Sequence, residues 1–230
     1  MSRKKEKRVP PYGNFLYDFV KVTGILPTLL WIRPRVYYPH GNRIPKGGVL
    51  ISSNHRSFLD PIILLAALPS RRLHSLCTKD LYKNAFMKAF LPRMHCILVD
   101  KDNFTATAFH DVTDRLSAGH AVLVFPEGEV NKNGLQDNSL LAFKSGAVLM
   151  AYKSRAPILP IYIAKREKWY HRQRVVVGEE IDVAEKLGAF PSIDAMNRVT
   201  ELLFEKEAEL RAFAERGFVP AAENNENGDN

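Results

Sequence analysis

Val49-Leu50-Ile51-Ser52-Ser53-Asn54-His55-Arg56-Ser57-Phe58-Leu59-Asp60-Pro61-Ile62-Ile63-Leu64-Leu65-Ala66-Ala67-Leu68 changes character twice within twenty residues. It opens as a short apolar run of strand length, passes through a polar stretch, and closes as a second apolar run. Proline directly after Asp60 marks a helix start, with Asp60 as N-cap and Pro61 at the first helical position. His55 therefore lies on a strand-to-helix loop, with a carboxylate fixed one turn away. A carboxylate hydrogen-bonded to one ring nitrogen sets the tautomer and leaves the other nitrogen to take a proton. The pair His55 and Asp60 thus reads as a candidate general base.

The same grammar recurs downstream. Ala121-Val122-Leu123-Val124-Phe125-Pro126-Glu127-Gly128 is an apolar strand running into a tight turn held by Pro126 and Gly128. Glu127 then sits at a strand end, where open α/β sheets place ligand-binding groups; its other reading is a solvated turn glutamate. From about residue 36 the chain alternates. Strands are expected at 36–39, 48–53, 73–77, 95–99, 120–125, 157–163 and 174–178. Helices are expected near 60–69, 80–90, 103–118, 139–153 and 192–215. Strands alternating with helices predict an α/β fold, a largely parallel or mixed sheet flanked by helices.

Composition narrows the partners. The 230 residues carry 33 Lys and Arg against 25 Asp and Glu, a formal charge of +8 that favours an anionic partner without choosing one. Cys77 and Cys96 are the only cysteines, and both fall in apolar runs; two buried reduced thiols in a cytoplasmic protein are expected. The seven histidines show no metal-ligand spacing, so no metal is expected. The charge alone would also suit a nucleic-acid or membrane-surface binding module, but no nucleic-acid-binding signature accompanies it.

Residues 1–34 read as a basic tail, Ser2-Arg3-Lys4-Lys5-Glu6-Lys7-Arg8, followed by an apolar, aromatic segment that Asp18, Lys21 and Pro27 interrupt. No uninterrupted run approaches the roughly 20 apolar residues of a spanning helix. Two short helices lying on an anionic membrane surface are expected, Trp31 at the interface; the alternative is a helix packed on the protein's own core. Residues 35–218 form the catalytic domain in this division, and 219–230 a polar, disordered tail.

In order along the chain, Asn54-His55-Arg56-Ser57-Phe58-Leu59-Asp60, then Cys96-Ile97-Leu98-Val99-Asp100-Lys101-Asp102-Asn103, Phe125-Pro126-Glu127-Gly128, Phe143-Lys144-Ser145-Gly146-Ala147 and Ala156-Pro157-Ile158-Leu159-Pro160-Ile161-Tyr162-Ile163 resemble the blocks of the glycerophospholipid acyltransferase superfamily, which includes 1-acyl-glycerol-3-phosphate acyltransferases. The resemblance covers roughly residues 35 to 180. It implies a membrane-associated enzyme on the cytoplasmic face. Such an enzyme moves a fatty acyl group from acyl-CoA or acyl carrier protein to the hydroxyl of a lysophospholipid, without a cofactor. His55 and Asp60 would be catalytic, and Lys101, Glu127, Gly128 and Lys144 would hold the acceptor. Asn54, Ser57, Pro126 and Gly146 would support the site.

Direct attack of the acceptor hydroxyl on a thioester needs a base near neutral pKa and no protein nucleophile, and no G-x-S-x-G elbow is present. Ser52, Ser53 and Ser57 keep a covalent route open. Backbone amides of residues 54–57 are the natural oxyanion donors. The family commonly continues its third block with Thr-Arg-Ser, whereas Glu129-Val130-Asn131 stands here and looks more like the tafazzin branch, which exchanges acyl chains between phospholipids without coenzyme A. Lysine at 101 in place of the usual arginine also removes a bidentate phosphate fork.

Overall fold

In the computed structural model the described residues are 14–41, 44–100, 105–131, 139–166, 168 and 171–216. The two tails and Lys101 lie outside them. The chain folds as α1 (Asn14–Ile32), β1 (Arg35–Tyr37), β2 (Val49–Ser53), α2 (Asp60–Ala67), β3 (Leu73–Thr78), α3 (Ala85–Arg93), β4 (Ile97–Val99), α4 (Ala106–Ser117), β5 (Ala121–Val124), α5 (Gly146–Ser154), β6 (Ile158–Ile163), β7 (Arg174–Val177), α6 (Val183–Leu187) and α7 (Ile193–Glu215).

All seven expected strands form, in one sheet of order β1-β7-β6-β2-β5-β3-β4. The five from β6 to β4 are parallel, while β7 runs antiparallel to β6 with β1 parallel beside it. Alternation along the strands builds a core on each face. Val49, Ile51, Leu123 and Ile161 meet Ile63, Leu64 and Leu68 from the α2 side, and Ile32 of α1. On the opposite face Leu50, Val122 and Val124 meet Val112 and Leu116 of α4, Val148 and Met150 of α5, and Val199 and Leu203 of α7. Entry into β2 is tight. A β-carbon on Gly48 would lie 1.9 Å from the Leu116 carbonyl oxygen, so glycine lets β2 pass the end of α4.

Several boundaries differ from the sequence reading. The expected helix at 80–90 is a 3-10 turn, Lys79–Leu81, then α3, whose N-cap Asn84 accepts from Met87 N. The helix expected from 139 begins only at Gly146, because residues 141 and 144 spend their amides on the Glu127 turn. Asp60 is the first residue of α2, not its cap; Leu59 holds that position, and the Asp60 carboxylate turns back onto the preceding loop. Helix α6, capped by Asp182, was not anticipated. The cysteines are half-buried, not buried, with their thiols hydrogen-bonded to each other.

The N-terminal segment is one helix carrying Pro27 inside it, not two short ones. Proline removes one i→i−4 bond there, but the helix is pinned at both ends. Tyr17 is buried and its hydroxyl accepts from Leu73 N at 2.9 Å, Asp18 pairs with Arg72, and Ile32 enters the core. Tyr17 stacks on His95 at 4.4 Å, and His95 on His74 at 4.5 Å, with Arg115 Nη1 2.8 Å from His74 Nδ1. Burial first, and then Arg115, pushes His74 down to about 2 and His95 to about 4, so the stack is neutral in the folded protein. No described helix is long and apolar enough to cross a membrane.

Glu207 of α7 is wholly buried and accepts from Ser52 Oγ at 2.6 Å. Burial holds its carboxyl well above the usual value of 4.5. The unfolded chain then releases this proton at lower pH than the folded one. Stability is fully present below about 4.5 and is lost as pH rises toward the folded pKa. Glu207→Gln should remove that slope. Melting temperatures of wild type and variant should converge near pH 4, and the variant should gain relative to wild type toward pH 8. A constant offset across that range would assign Glu207 an unshifted carboxyl.

Candidate active site

Strand β2 ends at Ser53, and the next six residues form the loop to α2. Asn54 extends the sheet by one rung with its side chain. Its Oδ1 accepts from Ile163 N at 2.8 Å and its Nδ2 donates to Ile163 O at 3.2 Å. That fixes where the chain leaves the sheet. Asp60 then gathers the loop: its Oδ2 lies 3.0 Å from His55 Nδ1 and accepts from Arg56 N at 2.6 Å and Ser57 N at 2.7 Å. Donation from Nδ1–H to this carboxylate sets the tautomer with the proton on Nδ1 and leaves Nε2 as the nitrogen able to take a proton.

The Phe125–Gly128 turn holds the same histidine from the other side. Phe125 stacks on the imidazole at 4.0 Å and 16°. Glu127 Oε1 accepts from His55 N at 2.9 Å, and Asn131 N donates to His55 O at 2.7 Å. Both main-chain groups of His55 are thus bonded to one loop. Glu127 Oε2 accepts from Leu141 N at 3.1 Å, and Asn131 also bonds the Glu127 carboxyl. Burial pushes Glu127 upward, opposed by the amides of His55 and Leu141.

The buried Arg56 guanidinium donates to Ile163 O and lies 5.9 Å from the Tyr162 ring centroid. Burial lowers its pKa, while Tyr162, Asp60 and Glu127 raise it. A cation that Asp60 and Glu127 both favour therefore comes from within the motif itself. Sequence reasoning passed over Arg56 and Asn131; Arg56 had a signal, since a cation between two carboxylate-bearing turns can neutralise both.

The sequence-expected residues separate into two groups. His55, Asp60, Asn54, Ser57, Pro126 and Glu127 converge. Lys144 lies across the turn, its Nζ 2.7 Å from where a β-carbon on Gly128 would stand, with Gly128 at φ 74°. Its main-chain N donates to Pro126 O, and Gly146 opens α5 two residues on. Glu127, expected to face the acceptor, is buried with both oxygens bonded to main chain. The main-chain amides of His55, Arg56 and Ser57, expected as oxyanion donors, are all taken by carboxylates, and the Asn54 side-chain amide is taken by Ile163. Ser52 and Ser53 are fully buried, which closes the covalent route through them. Lys101 lies outside the described residues. Among the described residues no group of three or more His, Cys, Asp and Glu could hold a metal ion.

A family profile described as "Acyltransferase" matches residues 35–164, which span this entire constellation. The chain belongs to the acyltransferase family. A probable 1-acyl-sn-glycerol-3-phosphate acyltransferase of Mycoplasma pneumoniae is 29% identical over 173 residues, 71% of this chain and 62% of that protein. The chain thus spans less than two thirds of that relative's length. The 1-acyl-sn-glycerol-3-phosphate acyltransferase of Bacillus subtilis is 24% identical over 201 residues, 85% of this chain and 96% of that protein. The crystal structure of the 1-acyl-sn-glycerophosphate (LPA) acyltransferase PlsC from Thermotoga maritima superposes with a TM-score of 0.63 at 18% identity, covering 95% of this chain and 86% of that one. The last comparison shows a shared fold.

The two loop residues differ in what they hold. In Glu127→Gln an amide N–H would face a backbone N–H of His55 or Leu141, leaving a buried donor unpaired, and the variant should lose about 1–3 kcal/mol in urea unfolding. Lys144→Ala removes only exposed surface and should stay within about 0.5 kcal/mol. Equal losses would mean that the buried carboxylate is not what anchors the turn.

Proposed function

We propose that this protein transfers a fatty acyl group from a thioester, acyl-CoA or acyl carrier protein, to the free hydroxyl of 1-acyl-sn-glycerol-3-phosphate or a related lysophospholipid. The observation that carries this reading is the His55 imidazole, bonded through Nδ1 to Asp60 and locked on its main chain by Glu127 and Asn131. The hydroxyl oxygen attacks the thioester carbonyl while Nε2 of His55 takes its proton. Asp60 stabilises the imidazolium that forms. Collapse of the tetrahedral adduct breaks the carbon–sulfur bond, and the thiolate leaves with the proton returned by His55. The names of the relatives support the acceptor class, and Lys144 supplies a cation beside the turn. His55→Ala should abolish transfer with the melting temperature retained. Asp60→Asn should lower kcat by about 10³-fold or more, since an amide cannot stabilise the imidazolium. Steady-state assays with an acyl thioester and lysophosphatidate decide this, and a folded His55→Ala enzyme with wild-type turnover would remove the mechanism.

The same reading places the protein on a bilayer through α1 and the mouth of the histidine loop. Phe15 is 83% and Leu30 80% exposed on α1, Trp31 is exposed beside them, and Phe58 is 75% exposed next to the catalytic loop. Helix α1 packs on α2, so these side chains share the α2 side of the sheet. Apolar groups at this density partition into the headgroup boundary, aided by basic residues at anionic lipid. Deleting α1 would expose Tyr17 and Ile32 contacts and unfold the domain, so substitution is the cleaner probe. The triple variant Phe15→Ser, Leu30→Ser, Trp31→Ser should sediment with anionic liposomes several-fold less than wild type, at unchanged melting temperature. Undiminished sedimentation would assign binding to other residues.

A further inference from the structure

At the β1 edge of the sheet a cavity of about 250 Å³ is lined by Arg35, Tyr37, Lys165, His171, Arg172 and Arg174. Four permanent cations and a histidine around one opening select an anion, and arginine selects phosphate. The opening belongs to the catalytic end of the sheet. Ala164 N donates to Arg174 O and Arg35 N to Gln173 O, one residue beyond the Ile163 rung that Asn54 clamps. Its face differs, however, from that of α1. Val36 and Val175 point into the core shared with α2, so by alternation Arg35, Tyr37 and Arg174 point to the side of Val176, Tyr162 and α7. The strand residues that line the cavity thus lie on the sheet face opposite the one on which α1 and α2 pack.

Distance narrows the ligand further. From β2, which carries His55, to β7 and β1 is two to three strand spacings, roughly 10–14 Å. The acceptor's phosphate is too near its own hydroxyl to reach: a few bonds span only ~5 Å. A pantetheine arm, with the length of about four extended residues, spans roughly 14 Å. We infer that this cavity binds the phosphate end of the donor's phosphopantetheine arm, with the thioester delivered to His55. The inference rests on the acyl-transfer reading and adds the place where the donor is held. Arg35 is kept in position by its guanidinium lying 5.3 Å from the Tyr37 ring centroid.

Calorimetric titration of full-length protein with coenzyme A, 4′-phosphopantetheine and pantetheine tests it. Wild type should bind both phosphorylated compounds at least about tenfold more tightly than pantetheine. The double variant Arg35→Glu, Arg172→Glu should bind coenzyme A no better than pantetheine, while Arg35→Lys, Arg172→Lys keeps most of the affinity. Equal binding of coenzyme A and 4′-phosphopantetheine assigns the site to the phosphate common to acyl-CoA and acyl carrier protein; tighter coenzyme A adds the nucleotide phosphates. Pantetheine binding as tightly as coenzyme A, or coenzyme A binding unchanged by charge reversal, overturns the site. A wild type that binds coenzyme A but transfers no acyl group would instead remove the catalytic reading and leave the cavity's ligand standing.

Discussion

One oxygen organises this site. Asp60 Oδ2 takes the imidazole N–H of His55 together with the amides of Arg56 and Ser57. Three donors converging on a buried carboxylate oxygen fold the whole loop into one shape, because moving any of them strands a polar group away from water. The carboxylate is at once the partner of the imidazole and the scaffold of the loop that bears it. Position and chemistry cannot be varied separately at residue 60.

A buried carboxylate needs a counter-charge, and the fold supplies it locally. Arg56 is buried next to this loop, and Asp60 and Glu127 both favour its charged form. Glu207, on the α7 face, is treated differently: it has a hydroxyl for partner, and burial holds its carboxyl well above the usual value. The contrast follows from the neighbours. Paired charges survive burial, whereas a lone acid in the core gives up its ionised form.

The alternation of strands and helices was readable because both sheet faces are covered, which turns each central strand into a short apolar run such as Val49–Ser53 or Ala121–Val124. The pairing of His55 with Asp60 was readable because both lie within one turn of chain. Partners distant in sequence were not. Nothing local to Glu127 says that its oxygens point inward to His55 and Leu141; the expectation that it holds an acceptor followed from its place at a strand end and from the family resemblance. Asn131 was read only as a departure from a family pattern, although its amide closes the grip on His55. Helix α1 misled for a related reason: Pro27 argues for a break on propensity alone, while Tyr17 and Ile32, packed far apart on the domain, hold it straight through.

The fixation of His55 also has a thermal consequence. The imidazole is stacked on Phe125, bonded at Nδ1, and tethered through both its N–H and its carbonyl. Its rotational freedom is therefore surrendered once, when the chain folds, and not again at every turnover. Heating short of unfolding leaves these contacts, and so the placement of the imidazole, in force.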